Sequence, residues 1–189
     1  MPDGLQPGRS STSGALLTLP NVITFARLCA VPLAVWLVLD GDFDSAFYLF
    51  VAAGMSDALD GWLARRGGAS AVGAVLDPVA DKALLVTMYV TLAAVKVLPI
   101  WLAILVVFRD MLIVGGVLVL AVLGQAVPIR PILLSKINTA AQIGLIAVAL
   151  FLMGFNLSAP ILLGALSWSV GSLTLASGAV YVWRAVRAR

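Results

Sequence analysis

The sequence contains no histidine, one cysteine and few charges: only 11% of its 189 residues are Asp, Glu, Lys or Arg, against about 25% in soluble globular domains. Without histidine, zinc is a poor match for any metal site the chain builds. With Cys29 alone, no disulfide framework is available, and its place inside an apolar run makes it a packing residue. The first fourteen residues are rich in Gly, Ser, Thr and Pro and carry no apolar h-region, so residues 1–14 are expected to form a disordered tail rather than a cleaved signal. None of the apolar runs alternates in the manner of a barrel strand.

What is present is apolar: 62% of the chain is hydrophobic. Six runs, at about 20–39, 46–65, 77–98, 100–124, 133–154 and 159–183, approach the roughly 20 residues needed to cross a bilayer as helix. The expectation is an all-α, polytopic membrane protein with six transmembrane helices spanning residues 15–189, opened by a short interfacial helix before Pro20.

The basic residues are unevenly placed. Arg9, Arg27, Arg65, Arg66, Lys82, Arg130, Lys136, Arg184, Arg187 and Arg189 fall at the tail, the even-numbered loops or the C-terminal end, and Lys96 falls on the opposite side. The positive-inside bias then puts both termini in the cytoplasm, with Asp40, Asp42 and Asp44 in the first outer loop. Near the start of the first run, Asn21, Thr24 and Arg27 recur at helical spacing. They read either as a cap with a snorkelling arginine or as one wall of a site.

Residues 57–81 hold the densest chemistry. Asp57, Asp60, Gly61 and Ala64 follow i, i+3, i+4 and i+7 on the second helix, with Arg65 at the edge of that face, and Gly73, Asp77 and Asp81 follow i, i+4 and i+8 on the third. Carboxylates one turn apart in low dielectric cannot both stay charged without a cation between them. All-oxygen ligation suits Mg²⁺ or Mn²⁺. Gly61 and Ala64 leave their face without bulk, so that a ligand can approach the backbone. Asp77 before Pro78 also has the form of a helix N-cap, with Asp81 as a first-turn acid, an alternative that leaves Asp57 and Asp60 unexplained.

The pattern Asp-x2-Asp-Gly-x2-Ala-Arg-x7-Gly-x3-Asp-x3-Asp resembles the signature of the CDP-alcohol phosphatidyltransferases, with all eight fixed positions filled. The seven-residue spacer after Arg65 is shorter than the eight or more usual in the family. The resemblance implies an enzyme in which Asp57, Asp60, Asp77 and Asp81 ligate divalent metal and Asp81 is also the general base. It further implies that Asp60, Gly61, Ala64, Arg65 and Gly73 receive the CDP part of CDP-diacylglycerol, with Asn21 and Thr24 alongside. A homodimer in the membrane lipid is implied too, with no nucleic-acid partner.

Farther along, Arg109 and Asp110 lie inside the fourth apolar run, where neighbours point about 100° apart and each is expected to meet another helix. Ser135, Asn138, Thr139 and Gln142 form a polar stripe on the fifth, read either as site or as interhelical hydrogen bonding. Phe-Arg-Asp-x-Leu-Ile-Val-Gly from Phe108 and Pro-x3-Ser-Lys-x-Asn-Thr-x2-Gln from Pro131 look like the cardiolipin synthase branch of the family. That resemblance implies phosphatidylglycerol as acceptor, with glycerol 3-phosphate as the alternative. Arg109, Arg130, Lys136 and Asn138 are the acceptor-binding candidates. The sixth run, rich in Gly, Ala and Ser from Gly164 to Gly178, suits close packing or dimerisation. A cation transporter would show matching interrupted helices in its two halves, and the acids here are concentrated in one region. The expected location is the bacterial inner membrane, with the active site facing the cytoplasm.

Overall fold

The computed structural model describes residues 19–67, 73–122 and 133–187, with the side chains of residues 25–56, 82–116 and 133–183. Among the described residues the chain is all helical: α1 (Leu19–Asp40), α2 (Phe43–Gly67), α3 (Gly73–Ala94), α4 (Ile100–Val122), α5 (Leu133–Gly154) and α6 (Pro160–Arg187). The apolar runs anticipated each of these to within a few residues. The expected tail and interfacial helix lie outside the described residues.

Three of the connections are short, and each is closed the same way. In a helix ending on a left-handed residue, that residue's amide and the next one fold back onto the last-turn carbonyls. Gly41 (φ 86°), Lys96 (φ 62°) and Asn156 (φ 54°) hold that position. The amides of Asp42, Val97 and Leu157 return to the carbonyls of Leu37, Leu92 and Leu152. Glycine and asparagine adopt this backbone readily, whereas Lys96 does so without that advantage. Asp42 then caps α2, its Oδ1 accepting the Ser45 amide at 3.4 Å. Hydrogen bonding with the side chains of Asp44 and Ser45 lowers the Asp42 carboxyl below its ordinary range.

The helices close into a ring in the order α1, α2, α5, α6, α4, α3, with α3 also reaching α5 across the middle. The core follows from that centrality: Met88, Tyr89 and Leu92 of α3 are fully buried against Leu102 and Val106 of α4 and Leu145, Ile146 and Leu150 of α5. Close approach needs small residues at two points. A Cβ on Gly154 would meet the Asp44 backbone at 2.7 Å, and one on Gly171 would meet the Trp101 ring at the same distance. Gly171 of α6 thus serves packing inside the chain, whereas Gly164 of the same helix faces open space.

Large apolar side chains also cover the outside, among them Trp36, Ile104, Phe108, Leu133 and Ile161. A helix apolar on both faces belongs in a large core or a bilayer. Leu133–Gly154 and Pro160–Trp183 are each long and apolar enough to cross one. Cys29, expected to pack inside, is instead exposed on α1. Arg27, for which snorkelling was one option, is buried, with 3% of its surface exposed.

Candidate active site

Asp57 and Asp60 lie in α2, and Asp77 and Asp81 in α3. Because α3 starts at Gly73, Asp77 is inside a continuous helix rather than at its cap, and Asp81 follows it by one turn. The N-cap alternative is thereby removed. The side chains of these four residues, and of Asn21, Thr24, Gly61, Ala64, Arg65 and Gly73, lie outside the described ones. Arg130 lies outside the described residues altogether.

One turn before Asp57 on α2 and one turn after Asp81 on α3 is a cavity of about 480 Å³. Gly54 and Met55 of α2, Leu84 and Leu85 of α3, Ile143 of α5 and the buried Arg27 of α1 contribute to its wall. It is apolar apart from Arg27 and Thr139. The cavity occupies the side of the ring bounded by α1, α2, α3 and α5.

The other side, bounded by α3, α4, α5 and α6, carries a polar seam beside the apolar core. The Asp110 carboxylate accepts Lys82 Nζ at 2.9 Å and Arg109 NH1 at 2.6 Å. Arg109 NH2 donates to Ser135 Oγ of α5 at 2.6 Å and to Ser177 Oγ of α6 at 3.0 Å. Along the same seam, Thr174 donates to Asn138 Oδ1 at 2.9 Å and accepts from Gln142 Nε2 at 3.3 Å, and the Tyr89 hydroxyl donates to the Gln142 carbonyl at 3.1 Å. Buried polar groups in low dielectric need such partners, and in this seam the helices supply most of them to one another, leaving Arg109 Nε and the Asn138 amide nitrogen without a partner among the described residues.

Each of Arg109 and Asp110 meets another helix, as expected, but the expectation that the two would not pair with each other is corrected here. The 100° between neighbours is offset by the length of the arginine, which curls round the helix to its own neighbour while its second nitrogen crosses to α5 and α6. Arg109 is also 4% exposed, with both terminal nitrogens engaged. Asn138 is fully buried in the α5–α6 contact, and Lys136 is exposed. Lys82 and Asp110 were not singled out by sequence as site residues. The signal was available: an acid alone in an apolar helix must find a cation, and Lys82 directly follows Asp81.

Two pairs of aspartates, each one turn apart on successive helices of an all-helical chain with apolar outer faces, define the class: a helical bundle that carries acids inside apolar helices. The profile of the CDP-alcohol phosphatidyltransferases matches residues 17–180. The chain belongs to that family. It is 34% identical to the "Probable cardiolipin synthase (CMP-forming)" of Drosophila melanogaster, over 87% of this chain and 56% of that one. With the human cardiolipin synthase (CMP-forming) it shares 31% identity over 86% of this chain and 59% of the other. With the "Probable phosphatidylglycerophosphate synthase" of Mycobacterium tuberculosis (strain CDC 1551 / Oshkosh) it shares 32% over 96% and 88%. The chain thus spans little more than half the length of the cardiolipin synthases it resembles.

Proposed function

We propose that this chain is a six-span membrane enzyme that transfers the phosphatidyl group of CDP-diacylglycerol to phosphatidylglycerol, giving cardiolipin and CMP. The observation that carries this reading is the pair of carboxylate pairs, Asp57 with Asp60 on α2 and Asp77 with Asp81 on α3, inside a chain of this family. Their donor set is all carboxylate oxygen, which fits Mg²⁺ or Mn²⁺. Bound there, a divalent ion would supply charge neutralisation at the donor's diphosphate. Asp57, Asp60, Asp77 and Asp81 would hold it.

The chain's own groups account for the rest. Asp81 takes the proton of the acceptor hydroxyl as its oxygen attacks the lipid-linked phosphorus. The bond from that phosphorus to the bridging oxygen breaks, and CMP leaves with the oxygen and its electron pair. Arg65 pairs with phosphate, and Gly61, Ala64 and Gly73 leave room for the nucleotide beside Asp60, Asn21 and Thr24. The 480 Å³ cavity one turn below suits an acyl chain of the donor. Arg130 and Lys136 serve the anionic acceptor, with Arg109 and Asn138 holding the helices behind them. Cytoplasmic termini and a homodimer belong to the same reading.

A second acceptor, glycerol 3-phosphate, is favoured by the fuller match in length to the mycobacterial phosphatidylglycerophosphate synthase. CMP release by purified protein in detergent separates the two. Metal-dependent release that requires phosphatidylglycerol supports the cardiolipin reading, and release with glycerol 3-phosphate alone moves the enzyme to the other branch. No release with either acceptor counts against the proposal.

A further inference from the structure

The ionic seam is unbalanced. One carboxylate, Asp110, is shared by two cations, Lys82 and Arg109. The remaining partners of Arg109, Ser135 and Ser177, are neutral hydroxyls. Among the described residues the cluster therefore carries a surplus of one positive charge, in a bundle where an uncompensated charge is costly. An anion from outside the cluster would relieve it.

Of the two cations, Arg109 is closed in. Its side chain is 4% exposed, whereas that of Lys82 is 39% exposed. A lysine ammonium has three protons to donate, and Asp110 takes one of them. The open end of the seam is thus the Lys82 ammonium. In the chain Lys82 directly follows Asp81, and on α3 it lies seven residues before Tyr89, on the face that looks across to α5. On α5 the segment opposite begins with Ser135, tied to Arg109, and Lys136, exposed. Leu84 and Leu85, two and three residues past Lys82 on the same helix, belong to the wall of the apolar cavity.

We infer that Lys82 is a binding residue for the anionic phosphate of the acceptor, and that Asp110 is the positioning residue that sets its ammonium. The inference rests on the phosphatidyltransfer proposed above and adds to it a residue that the sequence pattern assigned only to topology. Without Asp110 the lysine stem would be free to extend toward other acids, including Asp81. Held at 2.9 Å by Asp110, the ammonium is tied to α4, on a residue adjacent in the chain to the proposed general base. Phosphatidylglycerol and glycerol 3-phosphate both carry the phosphate that this charge would meet.

The test is steady-state CMP release by wild type, Lys82→Met, Lys82→Arg and Asp110→Asn in detergent. Acceptor is varied at saturating CDP-diacylglycerol, and then the reverse. A lost charge-assisted contact should raise the acceptor KM of Lys82→Met about tenfold or more, while its KM for CDP-diacylglycerol stays within about twofold. Lys82→Arg should recover most of the acceptor affinity. Asp110→Asn strips Arg109 of its buried counter-ion and is expected to lose thermal stability, so the decision falls on Lys82→Met, which keeps the Arg109–Asp110 pair. An unchanged acceptor KM in Lys82→Met overturns the inference. So does an equal rise in both KM values, or a rise in the metal concentration needed, since either would mean that the lysine serves the Asp81 region alone. These outcomes leave the phosphatidyltransfer intact, whereas a wild type that releases CMP with neither acceptor sinks both.

Discussion

Gly154 and Asp44 touch backbone to backbone: a Cβ placed on the glycine would lie 2.7 Å from both the Cα and the N of Asp44. The end of α5 is thereby pressed against the start of α2, and neither side has a flexible atom that can give way. Gly154→Ala is expected to lower stability by about 1–3 kcal/mol, the usual cost of an overpacked contact. Thermal unfolding of the purified protein in detergent measures it. Gly164, whose added Cβ would meet nothing within 4 Å, is the control, and Gly164→Ala should be neutral or better.

Thr174 joins two amides, donating to Asn138 and accepting from Gln142. Thr174→Val removes both bonds at nearly constant volume and leaves the buried Asn138 carbonyl oxygen without its donor. A loss of about 1–2 kcal/mol is expected, with a coupling of about 0.6 kcal/mol between Thr174→Val and Asn138→Leu in a double-mutant cycle. A coupling of zero would mean that the hydrogen bond adds nothing to helix association.

Arg109→Met leaves Asp110 buried with Lys82 as its remaining cation and frees both serines. Because Lys82 still compensates Asp110, the cost is that of the lost charge-assisted hydrogen bonds, each about 1.5–3 kcal/mol. Ser177→Ala removes a single bond and should cost about 1–2 kcal/mol. If the two variants unfold at the same temperature, the arginine is not held as its geometry implies.

Under the proposed chemistry, chelation of divalent metal should abolish CMP release, and added Mg²⁺ or Mn²⁺ should restore it. Asp81→Asn should lose about 10²–10⁴ in kcat, the range of a general base. Its thermal stability in metal-free buffer should stay near that of wild type. Activity within a few-fold of wild type would remove Asp81 from the role.

How much of this was legible beforehand differs by element. Helix positions were plain, because a run such as Ile100 to Val122 has no other way to satisfy its backbone among apolar side chains. The turns at Gly41 and Asn156 carried residues suited to left-handed backbone, but nothing in Lys96 announced the same conformation. The carboxylate pairs were readable from spacing alone, since i, i+3 and i, i+4 depend only on the helix. The ionic seam was not. Whether Arg109 pairs with Asp110, with α3 or with a substrate depends on which helices adjoin α4, and helix neighbours are fixed by packing across the ring. The exposed Cys29 was missed for a related reason, because an apolar run in a membrane-type bundle does not say which face is inside.

The Arg109–Asp110 pair also bears on how such a chain can be built. Because the two residues are adjacent, their charges can cancel as soon as α4 has formed, before α5 and α6 exist to offer Ser135 and Ser177. A helix that emerges with a neutralised pair meets a lower barrier to entering an apolar phase than one carrying a bare ion. The two hydroxyls then arrive with the last hairpin and latch onto the second nitrogen of a guanidinium that is already in place. Synthesis order and charge placement agree: the ion that would be hardest to insert travels with its own counter-ion.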